Sequence, residues 1–416
     1  MILSMRSASA ALGLLIFLGS AVGLAGERPV TFREAAERSA RNPRLLAGSQ
    51  AQRGLDQAAR GLPRLDANPM LSIQLGPRVS PPQERSMEGS VTLSQAVSLQ
   101  GAAGLRRGAL KAEAQTAGAQ AAQLQLRLRL EAARAWLDLW AAQQLHELAR
   151  QDAEAAGRSR RAVETLVKAR ERPRSEALVA RRQAEEAGLQ ALLAEGTLAE
   201  AREQLKAELG ILPEDAPVAA GDPPDVVPPS AGEQRAALAS AATLPAVRVQ
   251  ALLAAEERVR GAEERAARGS RLTLGVQVQR DGVGTTLQGL VGVPLPLLDL
   301  GGREEAPRKA AALRAEGDAQ DALHRARSEL SLAFHELEHS AQVERAVRDE
   351  LLPAAELAQQ ALDREFEAGE VTLLEKIQGQ RSLVEARARL IHAIRDRVWA
   401  CLRAATLVAA TRESSP

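Results

Sequence analysis

Tyrosine is absent from this chain, and the remaining aromatics, four Phe and three Trp, make up only 2% of its 416 residues. A chain of this length would ordinarily hold two or three globular domains. Their cores would draw much of their buried area from aromatic rings, and that route is closed here. Cysteine occurs once, as Cys401, which excludes an intramolecular disulfide and a zinc-ribbon framework. Inside an apolar stretch it reads as a small buried residue. An excess of one charge is lacking too, because 54 Lys and Arg nearly cancel 53 Asp and Glu. No broad basic face results, and nucleic acid is not an expected partner. After residue 25, no apolar run reaches the ~18–20 residues of a membrane-spanning helix.

What the chain has in abundance is alanine, 83 residues of it. Small apolar side chains favour helix formation and close helix–helix contact. The N-terminus reads as a secretory signal over residues 1–25. Arg6 supplies the positive region, an apolar run from Ala8 to Leu18 is interrupted only by Ser9 and Gly13, and Gly23-Leu24-Ala25 forms a small-x-small cleavage site. No Cys follows that site, so a lipid-anchored amino terminus is not expected. An exported chain without a helical anchor is either soluble or part of an outer-membrane β-barrel.

The rest divides into two similar halves. Ala135-Trp136-Leu137-Asp138-Leu139 is echoed 198 residues later by Ala333-Phe334-His335-Glu336-Leu337. The same offset pairs Gln95-Ala96-Val97 with Val293-Pro294-Leu295, and Asn42-Pro43 has its counterpart in Leu244-Pro245. A first repeat is expected over residues 26–211 and a second over 232–411, with a short tail at 412–416. Between the repeats lies a Pro- and Gly-rich linker, residues 212–231.

Each half repeats one order of elements. A helix of about twenty residues (43–61, then 245–268) precedes two strand-like runs. Residues 71–75 and 272–279 alternate apolar and polar, as do second strands near 91–99 and 287–295. Turns are expected at 76–85, which holds three prolines, and at 280–284. Long helical stretches follow, 102–168 and 308–368, the second broken only by Pro353. At 1.5 Å per residue each makes a rod of roughly 100 Å. Return helices are expected at 174–209 and 372–410. Leu124 to Leu130 alternates like a strand, but good helix formers flank it without a turn signal, so it is assigned to the rod.

Four strands per chain would leave open sheet edges, which a membrane does not tolerate. Closure by three chains would give twelve strands. In such a barrel Leu71, Ile73, Leu75, Val91, Leu93, Leu272, Leu274, Val276 and Val278 face lipid, while Ser72, Gln74, Thr92, Ser94, Thr273, Gln277 and Gln279 line a watery lumen. A sheet with one wet face in a soluble protein would show the same alternation.

His335-Glu336-Leu337-Glu338-His339 is a literal H-E-x-x-H, the zinc-protease pattern in which Glu336 would act as general base. Its repeat counterpart, Leu137 to Ala141, has no His, no third ligand follows, and mid-rod is not a cleft. The motif is therefore expected to be incidental, with no catalytic residue, metal or cofactor. His146, His324 and His392 are scattered, and Trp136 and Trp140, one turn apart, are expected in the core.

Three segments carry a family resemblance: residues 291–303 (VGVPLPLLDLGGR), residues 364–375 (REFEAGEVTLLE), and the N-terminal TFREA with Asn42-Pro43. The chain resembles the TolC-type outer-membrane factors, and most closely their heavy-metal and drug efflux branch. The resemblance covers nearly the whole mature chain. It implies a mainly α protein with a small β part. Tandem-repeat helical hairpins would form a trimeric α-barrel across the periplasm, and four strands per chain would join a shared 12-stranded transmembrane β-barrel. It further implies a homotrimer seated in outer-membrane lipid, a periplasmic adaptor protein, and an inner-membrane pump of the RND or ABC type. The function implied is an efflux duct for drugs or metal ions. Alternatives are a type I protein-secretion duct, a soluble periplasmic coiled-coil scaffold, or a secreted zinc protease. Adaptor contact and gating would fall to the hairpin tips, at Glu171, Arg172, Gly369, Glu370, Thr372 and Leu373. The first tip, residues 167–176, departs from the family pattern in lacking Gly, and the strands lack aromatic girdles.

Overall fold

A computed structural model of the chain describes residues 27–62, 68–80, 84–98, 101–212, 214–268, 271–280, 284–293 and 302–413. The expected signal segment, the turn at 281–283 and most of the 291–303 motif lie outside the described residues.

Strand β1 (Glu27–Thr31) leads directly into α1 (Phe32–Ser39), and α2 (Pro43–Gly61) follows. The hairpin β2 (Met70–Ser80) and β3 (Glu84–Ser98) then gives way to the 67-residue rod α3 (Ala102–Lys168) and its return α4 (Arg174–Leu209). Strand β4 (Ala216–Ala220) sits in the expected linker. The second half runs α5 (Ala231–Ala239), a short 3-10 turn, α6 (Pro245–Arg268), β5 (Arg271–Arg280) and β6 (Thr285–Gly292). Its rod is α7 (Gly302–Arg345), a π-helical turn (Ala346–Leu351) and α8 (Leu352–Ala368), which together match α3 in length; α9 (Leu373–Glu413) returns.

Local chemistry explains why the halves start alike. Thr31 Oγ1 accepts the Glu34 N–H at 3.2 Å to cap α1. Ser230 and Glu233 cap α5 reciprocally, the Glu233 carboxylate accepting the Ser230 N–H at 2.8 Å. Asn42 caps α2 through the Arg44 N–H, and Pro43 occupies its first position, where a missing N–H costs nothing.

Two cores form around equivalent positions of the repeat, the first also taking in Val398 of α9. In the first, Trp136, Leu137, Leu139 and Leu205 are fully enclosed with Val30 and Ala35. The Trp136 indole donates to the Val30 carbonyl at 2.7 Å and meets Phe32 edge-on, with ring centroids 5.4 Å apart. In the second, Phe334 takes the Trp136 position beside Leu330, Leu337, Ala404 and Leu407, and the Cys401 thiol donates to the Val226 carbonyl. Burial pushes the Cys401 thiol pKa up.

Pro353 does not break the second rod. A proline inside a helix removes one N–H and crowds the carbonyl four residues earlier. The backbone answers with one wider π turn just before it, where the Leu352 N–H reaches the Val347 carbonyl, and the helix then resumes. Beside this turn the buried Glu344 pairs with Arg348 at 2.7 Å and with Arg397.

The strands form two separate sheets. β1 and β4 pair in parallel, Glu27 opposite Ala216 and Thr31 opposite Ala220. The larger sheet has the antiparallel order β2-β3-β5-β6, so the hairpins of the two repeats join through β3 and β5. β2 and β3 run well into the turn expected at 76–85: Pro77 lies within β2, opposite Met87. β2 is an edge strand, and there a residue without an N–H does not interrupt the ladder.

Candidate functional site

The register of the four-stranded sheet sorts its residues by face. Ile73, Val91, Val278 and Leu287 form one row across all four strands, and Leu71, Leu93 and Val276 form the next apolar row. On the opposite face Ser72, Thr92, Gln277 and Gln288 stand in one row, Gln74, Ser90, Gln279 and Thr286 in another. Ser94 lies between Met70 and Gly275, and Thr273 opposite Ala96. All seven residues expected to line a lumen thus share a single face.

Burial on this sheet is opposite to that of a water-soluble protein. The apolar face is the open one: Leu71 and Ile73 are each 61% exposed, Leu93 54%, Val276 52% and Leu287 71%. On the polar face β2, β3 and β5 are the more covered, with Ser72, Thr92, Ser94, Thr273, Gln277 and Gln279 half-buried and Ser90 buried, while Gln74, Met70 and the β6 residues Thr286, Gln288 and Leu290 are exposed. A sheet in a soluble protein covers its apolar face. Here the strands make their main contacts with one another, and among the described residues no helix packs broadly across them.

The helical ends opposite the sheet form a second feature. At the first tip the Glu171 N–H reaches back to the Leu166 carbonyl at 2.9 Å; at the second, the Glu370 N–H reaches the Glu365 carbonyl at 2.9 Å. Both are six-to-one closures of a helix C-terminus, which need a left-handed residue one position earlier. Gly369 supplies it at φ +80°. In the first tip the same place is taken by Arg170 at φ +65°. The glycine missing from the first tip is thus replaced by a strained arginine, and the turn geometry is retained.

After the tips, α4 starts at the rigid Pro173, whereas α9 starts on a capping box. The Glu375 carboxylate accepts from the Thr372 N–H at 2.7 Å and hydroxyl at 2.8 Å. Those two hydrogen bonds hold the Glu375 pKa below the usual carboxylate range. Phe366 joins the tips, with the Arg172 guanidinium 5.0 Å from its ring and the Lys376 ammonium 4.9 Å away. Arg172 also pairs with Glu176 and Lys376 with Asp363. Higher up, Gln380 bonds Asp152 at 2.7 Å, and Arg381 bonds Gln183 at 2.9 Å and also pairs with Glu186.

Of the six expected tip residues, Glu171, Gly369, Glu370 and Thr372 are exposed and Arg172 is half-buried under Phe366. Leu373 differs: it is 3% exposed and packs with Val163, Ala180 and Ile377. The first turn of α9 carries it inward, so it ties the two hairpins together and offers no outward surface in the single chain. Phe366 and Arg170 were not singled out from the sequence. Aligning the two tips would have flagged Arg170 against Gly369, but nothing local marks Phe366.

His335 and His339 lie on the exposed side of α7, their rings nearly parallel with centroids 6.1 Å apart. Glu336 points away from them to Arg403, which donates to its carboxylate at 2.7 Å. No set of three or more His, Cys, Asp or Glu side chains positioned for a metal occurs among the described residues. A cavity of about 960 Å³ opens between α3, α4, α6, α7 and α9, lined in part by Arg127, Glu131, Arg134, Glu208 and Arg325. Its charges pair among themselves, Arg127 with Glu131 and Arg134 with Asp138. Burial, with Glu131 nearby, raises the Glu208 pKa.

The sequence matches no protein-family model and no curated protein. The fold does have solved counterparts. A membrane protein from Pseudomonas aeruginosa superposes with a TM-score of 0.70 at 18% identity, covering 91% of this chain and 90% of that one. The outer membrane protein VceC from Vibrio cholerae superposes at 0.68 with 16% identity, over 91% and 95% of the two chains. The CmeC outer membrane channel of Campylobacter jejuni gives 0.66 at 13% identity, over 91% and 86%.

Proposed function

We propose that this chain, which has the fold of outer-membrane channel proteins, is one third of an efflux duct. Three copies close their sheets edge to edge into a 12-stranded barrel in the outer membrane. Their rods form an α-barrel reaching across the periplasm to an adaptor and to an inner-membrane pump of the RND or ABC type. The duct passes small toxic solutes, drugs or metal ions, and the pump supplies the energy. No step of such transport needs covalent chemistry.

The observation that carries this function is the inverted sheet. Its apolar residues lie on an open face and most polar ones of β2, β3 and β5 are half-buried on the other, the distribution expected for lipid outside and water within. Its free edges, β2 and β6, lie at opposite ends of the strand order, as neighbours in a closed ring require. Exposed leucines along α4, including Leu178, Leu189, Leu192 and Leu193, provide the rods with apolar surface for adjacent subunits.

Cell fractionation followed by electrophoresis of unboiled samples tests the assembly. The protein should be recovered with the outer membrane and migrate at about three times the mass of one chain. Recovery as a soluble periplasmic monomer would reject the duct. Deleting the gene should raise sensitivity to toxic solutes; loss of a secreted protein, with solute tolerance intact, would place the duct in type I secretion instead.

A further inference from the structure

The histidine pair on α7 lies on the second rod, and the proposed duct gives it no role. His335 and His339 are one helical turn apart, both exposed, with rings inclined by only 7° and centroids 6.1 Å apart. Among the described residues neither imidazole has a hydrogen-bond or ion-pair partner. Glu336, which would otherwise compete for the same ligand or for the rings, is held on another side of the helix by Arg403. Two imidazoles at this spacing need only side-chain rotation to bring one nitrogen of each within about 3 Å of the other. That separation is what two adjacent ligands at ~2.0–2.1 Å from a common ion require. Exposed rotamers make the adjustment easily.

We propose that His335 and His339 form a two-ligand chelate for a borderline divalent transition-metal ion, with water completing its coordination. Imidazole nitrogen selects Zn²⁺, Ni²⁺ and Cu²⁺ and discriminates against Mg²⁺ and Ca²⁺, which take oxygen ligands. Affinity should rise from Ni²⁺ to Cu²⁺ and fall again at Zn²⁺. No methionine or cysteine lies on α7, so the soft monovalent ion Cu⁺ has no thioether or thiolate there. The site is a binding site and not a hydrolytic one, because Glu336 is committed to Arg403 and is not free to activate water. Its location gives it a consequence. Phe334 and Leu337, on the same turn, anchor the second core. A chelate bridging that turn therefore stabilises the rod where it meets the core.

The test uses the full-length protein, purified in detergent without a histidine tag, titrated calorimetrically with NiCl₂ and separately with ZnCl₂. One ion should bind per chain. His335→Ala and His339→Ala should each weaken binding at least tenfold, while His324→Ala and His392→Ala leave it unchanged. Both changed side chains are exposed, and circular dichroism of each variant checks that the helix is intact. The melting temperature should rise with NiCl₂ in the unaltered protein and in His324→Ala, but not in the His335→Ala/His339→Ala double variant. Absence of binding, equal binding by the double variant, or equal response to MgCl₂ would each overturn the proposal.

Discussion

Exchanging the left-handed residues of the two tips isolates a single backbone term. Gly369 and Arg170 occupy the same place in equivalent turns, at φ +80° and +65°. A side chain in that region costs about 1–2 kcal/mol, and glycine carries no such penalty. Glycine in turn loses more freedom on ordering, by about 0.5–1 kcal/mol. A Cβ added at Gly369 meets no atom within 4 Å, so contact energies do not enter. The difference leaves a net of about 0.5–1 kcal/mol, which at RT of about 0.59 kcal/mol is roughly a two- to five-fold change in the local opening equilibrium. Arg170→Gly should slow amide exchange at residues 169–171 by that factor. Gly369→Ala should speed it at 369–370. Hydrogen-exchange mass spectrometry of peptides spanning the two tips reads both, because opening of a turn this local sets the rate. The double variant Arg170→Gly/Gly369→Arg should swap the behaviour of the two tips. If both single variants exchange like the unaltered protein, backbone strain at Arg170 is not a property of the molecule.

Other expectations concern different parts of the chain. Trp136→Phe keeps a ring in the first core but leaves the Val30 carbonyl without the indole donor, at a cost of about 1–3 kcal/mol. A thermal melt should show the loss, whereas Trp399→Phe, at a half-buried ring under Arg134, should change little. On the sheet, Ile73→Lys places a charge on the open apolar face and should cost about 2–4 kcal/mol per chain in a bilayer. It should abolish the heat-sensitive oligomer on an unboiled gel, and Gln277→Lys on the opposite face should not. The Glu233 pKa is lowered to about 2, first by the Arg412 guanidinium and then by the Ser230 N–H and hydroxyl. A depressed carboxylate stabilises above its unfolded value, near 4.5, and the contribution disappears as pH falls towards 2. Melting temperature should therefore decline over that window, and Glu233→Gln should flatten this part of the curve.

Much of the fold was legible because it is local. Helices α2, α4 and α6 and the start of α3 fall where proline, asparagine and glycine place them, and period-two runs mark the four strands of the larger sheet. What escaped depends on contacts distant in sequence. β1 and β4 are short, and each becomes a strand only by pairing with the other across nearly 190 residues. Pro77 signals a turn until its strand is known to be an edge. Leu373 sits in a tip motif, and only the packing of Val163 and Ala180 against it shows that it faces inward. The H-E-x-x-H pattern is complete in sequence, yet Arg403, 67 residues away, holds its glutamate. Alternation alone does assign the seven polar strand residues to one face, whereas the openness of the other face depends on the strands having no helical cover among the described residues.

That uncovered apolar face also constrains how such a molecule is made. The hairpins α3–α4 and α8–α9 are built from neighbouring segments, and contacts of that kind form quickly. The large sheet is different: it joins hairpins about 180 residues apart and, once formed, presents bare leucines and valines with two unpaired edges. In water a finished single chain would be a template for misassembly. In the proposed duct, maturation would need an order, with the hairpins settling first and the sheet withheld until sister chains and lipid are at hand. On that proposal, export faster than that meeting should produce aggregates before it produces assembled channels.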